Sequence, residues 1–137
     1  MGGVQLIERN ATVEEYIFIR EEIGWNALPY ELIKKGLKQS TYSVCLEDNG
    51  KTVGYGRIVG DGATVFYIQD IMVLPTYQHQ KLGSTIMHKL MDYIHEHCHP
   101  EAIVGLIAFE ELKYFYKKFG FIHQHNNWFY RLQVQCT

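Results

Sequence analysis

Cysteine, proline and net charge are all scarce in this 137-residue chain, which has three cysteines, three prolines and a balance of −2 with histidines neutral. Each scarcity excludes a class of protein. Cys45, Cys98 and Cys136 are scattered and odd in number. They do not make a disulfide framework, and they suit a reducing compartment, so the cytoplasm is the expected location. A nearly neutral chain offers no general basic face to phosphates, so no nucleic-acid partner is expected. No apolar run nears the roughly 18 residues of a spanning helix, so no membrane partner is expected either. The opening Met1-Gly2-Gly3-Val4 lacks the basic-then-apolar order of a secretory signal. Repeats, low-complexity tracts and linkers are missing too, which reads as one domain over residues 1–137. What is present is ordinary: 47% hydrophobic and 20% charged residues, on a chain long enough for a real core.

Periodicity and punctuation give the element order. Val4 to Glu8 reads as a short strand. Thr12-Val13-Glu14-Glu15 fits a capping box opening a helix that Gly24 stops. Pro29 suits the first turn of a second helix ending near Gly36. Tyr42 to Leu46, Asp48-Asn49-Gly50 and Thr52 to Val59 read as a hairpin, because Asn-Gly favours the tight turns that join paired strands. Thr64 to Val73 is a long strand rich in β-branched and aromatic residues. Leu82 to His97 keeps an apolar helical stripe, and Ala102 to Ile107 is a buried-strand run. Glu110 to Phe119 reads as a helix closed by Gly120, with Phe121-Ile122 and Asn127 to Val134 as closing strands. Hairpins first and β-α-β crossovers later predict an α/β (α+β) fold: a mixed, mostly antiparallel sheet of six to seven strands flanked by about four helices.

The chemistry is expected at Asp70-Ile71-Met72-Val73-Leu74-Pro75-Thr76-Tyr77-Gln78-His79-Gln80-Lys81-Leu82-Gly83-Ser84. This is a strand, a tight loop and a helix start. The first helical turn has unpaired N–H groups and the positive end of the macrodipole. Gly83 lets an anion approach the backbone, and Lys81 and the Ser84 hydroxyl add to the attraction. Such a turn suits a phosphate or pyrophosphate, although an ordinary strand-to-helix turn reads the same way.

The register of Val73, Pro75, Tyr77, Gln78, Gly83 and Ser84 resembles the acetyl-CoA motif of the GCN5-related N-acetyltransferases (GNAT superfamily). Phe115-Tyr116-Lys117-Lys118-Phe119-Gly120-Phe121 is similar to that family's second motif. The resemblance implies a strand that splays from its parallel neighbour to admit the pantetheine of acetyl-CoA, the cosubstrate. By position, Ile71, Met72 and Val73 would pair with it, and one of their amides would polarise the thioester carbonyl. Gln78, His79, Gln80, Lys81, Leu82, Gly83 and Ser84 would wrap the pyrophosphate. Tyr116 matches the motif tyrosine that borders the cofactor and protonates the departing thiolate, a role its high pKa permits. The family's first loop glycine is Lys81 here, and a left-handed backbone costs a lysine more than a glycine. Either the loop is reshaped or the lysine's charge offsets that cost.

No base is evident. Gln69 cannot act as one, and Tyr67 is a poor one at neutral pH. Strict alternation puts Asp70 on the face opposite Gln69. Glu21, Glu22, Glu110 and Glu111 remain unplaced. In the resembled family, the region from Ile23 to Tyr30 borders the acceptor pocket, so Trp25 and Tyr30, with Tyr67 and Gln69, are the substrate-binding candidates. A core or hinge role explains Trp25 equally well. His95, His97, Cys98 and His99 end a helix with poor ligand spacing, so no metal is expected. His123 and His125 read as polar surface, and Trp128, Phe129 and Tyr130 could be core, pocket edge or a homodimer surface.

The resemblance therefore implies an acetyl-CoA-dependent N-acetyltransferase acting on a small-molecule amine by direct attack in a ternary complex. A non-catalytic acyl-CoA-binding or sensor module is the alternative, as is a protein or peptide lysine acetyltransferase. The absence of a strongly acidic run argues against the last.

Overall fold

The computed structural model describes residues 3–124. The chain divides into two compact units, Met1–Ile107 and Ala108–Thr137. The first unit holds a five-stranded sheet in sequential order, with β1 (Val4–Ile7), β2 (Tyr42–Asp48), β3 (Lys51–Gly60), β4 (Val65–Val73) and β5 (Ile103–Gly105). All neighbours pair antiparallel except β4 and β5, which are parallel. Its helices are α1 (Val13–Glu22), α2 (Tyr30–Lys38) and α3 (Leu82–His97). The second unit has a 3-10 turn (Glu110–Leu112) leading into α4 (Lys113–Lys117).

The mixed sheet with four helices matches the expected class, with fewer strands among the described residues. Phe121-Ile122 is not strand, and Asn127 to Val134 lies outside the described residues. The helix expected over Glu110–Phe119 is shorter, and Gly120, in left-handed conformation (φ 91°), ends it. Pro29 is the N-cap residue of α2 rather than part of its first turn, and the helix runs past Gly36 to Lys38.

Local chemistry sets these boundaries. The Thr12 hydroxyl accepts the Glu15 N–H at 3.1 Å, and the Glu15 carboxylate accepts the Thr12 N–H at 2.8 Å. This is the reciprocal capping box read from sequence. Arg9 donates to the same carboxylate and to Glu47, tying the entry of α1 to β2. That guanidinium, above all, holds the Glu15 carboxyl down to about 2. Asn49 and Gly50 both have positive φ, as the two-residue turn of a right-twisted hairpin requires.

Burial divides the sheet's two faces. Tyr55 points toward α1, where its ring meets Tyr16 edge-on. The next residue, Gly56, turns to the other face, where α3 packs through Ile86, Met87, Leu90 and Ile94. A Cβ at Gly56 would lie 2.5 Å from Ile86 and 2.9 Å from Ile71. The missing side chain is what lets α3 approach β3 and β4 closely. Gly56→Ala should therefore overpack this core and cost about 1–3 kcal/mol. Urea unfolding measures this, and an unchanged midpoint would refute the close-packing account.

Candidate active site

The parallel pairing of β5 with β4 is short. It joins Val65, Phe66 and Tyr67 to Ile103, Val104 and Gly105, and no described strand pairs with β4 beyond that point on this side. Residues 68–73 thus present an open backbone edge. The Leu74 N–H donates to the Val53 carbonyl at 2.9 Å, on the β3 side. Alternation then turns the amides of Val73 and Ile71 to the open edge and that of Met72 toward β3. The Met72 side chain is buried core.

This edge carries a bulge. Tyr55 pairs with Met72 and Arg57 with Gln69, so Asp70 and Ile71 together oppose Gly56. Asp70 takes the left-handed conformation, φ 60°. That interrupts strict alternation and corrects the expectation that Asp70 faces away from Gln69. The Gln69 side-chain amide donates to Asp70 Oδ1 at 3.2 Å. The Asp70 carboxylate is fully buried and accepts from Tyr16 Oη at 2.8 Å and Arg57 Nε at 2.9 Å, with Arg20 at 4.0 Å. Its lone pairs are engaged, so it is not placed as a general base. Burial, and then the Asp70 charge, push the Tyr16 phenol up to about 12. Sequence reasoning missed this cluster. The available signal was an ionisable Asp70 within an otherwise apolar and aromatic strand, with Arg57 on the strand before it.

After β4 the chain makes a 3-10 turn over Pro75–Tyr77. Tyr77 donates its hydroxyl to Asp48 at the β2–β3 hairpin, and Gln78 donates its side-chain amide to the Val73 carbonyl at 3.0 Å. These bonds anchor the start of the loop to the β2–β3 hairpin and to the end of β4. His79 and Lys81 are left-handed, with φ of 66° and 63°. Lys81 itself therefore takes a left-handed backbone that a glycine would adopt without steric cost. Each such non-glycine residue costs roughly 1–2 kcal/mol.

Lys81 is the N-cap residue of α3, and no side chain caps that end. The first intrahelical bond runs from the Thr85 N–H to the Lys81 carbonyl. The amides of Leu82, Gly83 and Ser84 thus have no acceptor within the helix. No acidic residue lies in the first turn. A 16-residue helix ending in bare amides, beside exposed Gln80 and Lys81, attracts an anion through both its dipole and its hydrogen bonds. The open edge and this helix end, one chemistry for an amide-rich arm and one for a diphosphate, fit the two parts of acetyl-CoA.

The residues expected on the acceptor side are partly exposed. Trp25 is 38% exposed, with the Arg20 guanidinium 5.4 Å above its ring. Arg20 also donates to the Asn26 carbonyl at 2.6 and 3.1 Å. Tyr30 is exposed and donates to Glu14. Tyr67 takes a hydrogen bond from the Ile107 backbone, and burial raises its pKa. In the second unit, Tyr116 is half-buried between the rings of Phe115 and Phe121, and desolvation raises its pKa. Tyr114 is exposed, with Lys113 over its ring. Glu21 and Glu22 are exposed at the end of α1. His97 stacks on Tyr93, and the His99 ring accepts the Glu101 N–H. Among the described residues, no group of three His, Cys, Asp or Glu could hold a metal ion. No described helix is long and apolar enough to cross a membrane. His125, Trp128, Phe129 and Tyr130 lie outside the described residues.

The acetyltransferase (GNAT) domain family matches residues 12–134, and the chain belongs to that family. Its members transfer acetyl groups from acetyl-CoA, and this chain is an acetyltransferase of that kind. It is 28% identical over 118 residues to an uncharacterized N-acetyltransferase, ycf52, of Pyropia yezoensis, covering 83% of this chain and 67% of that one. A probable acetyltransferase of unknown function from meticillin-resistant Staphylococcus aureus superposes with a TM-score of 0.87 at 35% identity, covering 95% of this chain and 98% of that one. An aminoglycoside N-acetyltransferase, AAC(6')-Iy, solved with CoA, shares the fold alone, with a TM-score of 0.71 at 14% identity over 97% of each chain.

Because Lys81 carries left-handed strain at an uncapped helix start, Lys81→Gly should stabilise the fold. A gain of about 1 kcal/mol corresponds to a thermal midpoint roughly 3 °C higher. Calorimetric melting checks this; a lower midpoint would mean the lysine side chain contributes more than its backbone costs.

Proposed function

We propose that this chain, as one domain over residues 1–137, transfers the acetyl group of acetyl-CoA to the primary amine of a small molecule, by direct attack in a ternary complex. The supporting observation is the open edge of β4 leading within ten residues to the bare N-terminus of α3. When bound, the cosubstrate supplies an activated thioester. The amides of Ile71 and Val73 pair with its pantetheine arm, and one of the edge amides polarises the carbonyl as negative charge develops on oxygen. The segment from Gln78 to Ser84 holds the diphosphate, with Lys81 adding charge. Lys81→Ala removes that charge while keeping a residue that resists the left-handed turn. Titration calorimetry should then show weaker acetyl-CoA binding; unchanged affinity would remove Lys81 from the site.

Direct attack agrees with the state of the thiols. Burial pushes the Cys45 thiol up to about 12 and also raises Cys98, so neither is a ready thiolate. Both are free, which suits the cytoplasmic location expected from the sequence. In this reading Tyr116 is the general acid that returns a proton to the departing thiolate. Desolvation by burial raises its pKa further, which favours the protonated hydroxyl that an acid needs. No edge side chain is placed as a base: Gln69 has none to offer, Tyr67 is raised by burial, and Asp70 is engaged. The amine therefore enters as free base or through water. Trp25 and Tyr30 flank its approach.

Thiol release from acetyl-CoA should be assayed against polyamines, arylalkylamines, amino sugars, amino acids and basic peptides. A small amine should give saturable turnover that rises with pH as its own ammonium deprotonates. Saturable binding without thiol release from any acceptor would identify a non-catalytic acyl-CoA-binding module instead. A strong preference for peptides would identify a protein acetyltransferase. Tyr116→Phe should lower kcat by about 100-fold, the ordinary contribution of a positioned acid, with little change in acetyl-CoA affinity. Normal turnover in that variant would reject the acid role.

A further inference from the structure

Asp70 combines two costly features in one residue. It is a non-glycine in left-handed conformation within a strand, and its carboxylate is fully out of solvent. Two residues opposite one make a bulge unavoidable between Tyr55–Met72 and Arg57–Gln69. The count does not decide which residue takes the left-handed turn, nor where the next amide points. Side-chain contacts converge on Asp70 itself. Tyr16 and Arg57 close on Oδ2 at 2.8 and 2.9 Å, and Gln69 closes on Oδ1 at 3.2 Å. On the facing strand Gly56 makes room, since a Cβ there would crowd Ile71 at 2.9 Å.

The contacts reaching Asp70 also come from particular places. Tyr16 and Arg20 lie on α1, and Arg20 continues to the Asn26 carbonyl and the Trp25 ring. Arg57 continues to the Gly36 carbonyl at 3.0 Å and the Ser40 hydroxyl at 3.2 Å, at the end of α2. The carboxylate is the point where the α1–α2 region meets the open edge of β4.

We propose that Asp70 is a positioning residue for acetyl transfer: its carboxylate, gripped by Tyr16 and Arg57, fixes the bulge that aims the Ile71 amide at the open edge, and Arg20 links that amide to the Trp25 segment. This rests on the reading of the β4 edge as the site that polarises the thioester carbonyl. Asp70 itself touches no reacting atom. It sets the direction of a hydrogen-bond donor, and preorganised direction is what makes such a donor effective.

The test reads the carbonyl directly and needs no acceptor. Acetyl-CoA labelled with carbon-13 at the acetyl carbonyl is bound to the whole protein, and its stretching band is recorded by difference infrared spectroscopy. In the native protein the band should move to lower frequency than in free acetyl-CoA. Asp70→Gly permits the left-handed backbone but removes the grip. It should still bind acetyl-CoA by calorimetry while losing most of the band shift. Tyr16→Phe removes one donor and should lose part of it. A purely structural Asp70 would lower the melting midpoint and leave the band of the folded, loaded protein where it was; that result overturns the inference. Should Asp70→Gly not fold, an unshifted difference between native protein and Tyr16→Phe overturns it equally. Native protein that binds acetyl-CoA without any band shift would refute the carbonyl-polarising edge itself, and absence of binding would refute the proposed function.

Discussion

A sheet interior normally leaves no backbone donor unmet, because a buried unpaired amide costs about as much as a lost hydrogen bond. The rest of this structure depends on one local exception. Between Tyr67 and Leu74, β4 keeps β3 on one side and has no described strand partner on the other. Such an edge is tolerable only where something holds the strand in shape without a second ladder. Here the holding is done from the faces. Arg57 and Tyr16 fix Asp70 from the α1–α2 face, and Ile86 and Leu90 crowd the Gly56 side from α3. The open edge is therefore a product of packing above and below it.

Strain follows the same logic along the chain. Asp70, His79 and Lys81 are all left-handed without being glycine. All three fall within twelve residues, on the strand edge or the loop that follows it. Among the described residues of the first unit the only other such residue is Asn49, in a hairpin turn that favours that conformation. Conformations that cost free energy persist where surrounding contacts over-determine them. Asp48 holding Tyr77, and Val73 holding Gln78, supply such contacts where the loop begins.

Much of this was legible in the sequence, for a physical reason. The strand, turn, loop and helix start form one contiguous stretch whose backbone demands appear at fixed spacing. Val73, Pro75, Gln78 and Gly83 could be read in register, and α3 spans the residues its apolar stripe predicted. Thr12 and Glu15 were equally readable, since a capping box lies within four consecutive residues. Asp70 was not. Alternation is a rule for regular strands, and one left-handed residue suspends it. The partners that made the bulge, Tyr16 and Arg57, are 54 and 13 residues away and carry no spacing signal. The shortening of α4 likewise depends on tertiary context that helical propensity does not contain.

The same distinction separates what the cosubstrate side and the acceptor side demand. A thioester carrier has an amide-bearing arm and a diphosphate, and backbone amides recognise both. A chain can encode such a site with short motifs. An acceptor amine is recognised by side chains, and the ones proposed for it come from the α1–α2 connection, the start of α2 and β4. Trp25, Tyr30 and Gln69 have no common spacing because the fold, not the local chain, brings their segments into one unit. Arg20 is the exception that joins the two regimes: one guanidinium reaches toward the buried Asp70, spans the Trp25 ring and holds the Asn26 carbonyl. The α1–α2 connection is thereby fastened to the bulged part of β4. Change in the α1–α2 connection is then constrained by the need to leave that guanidinium where it is.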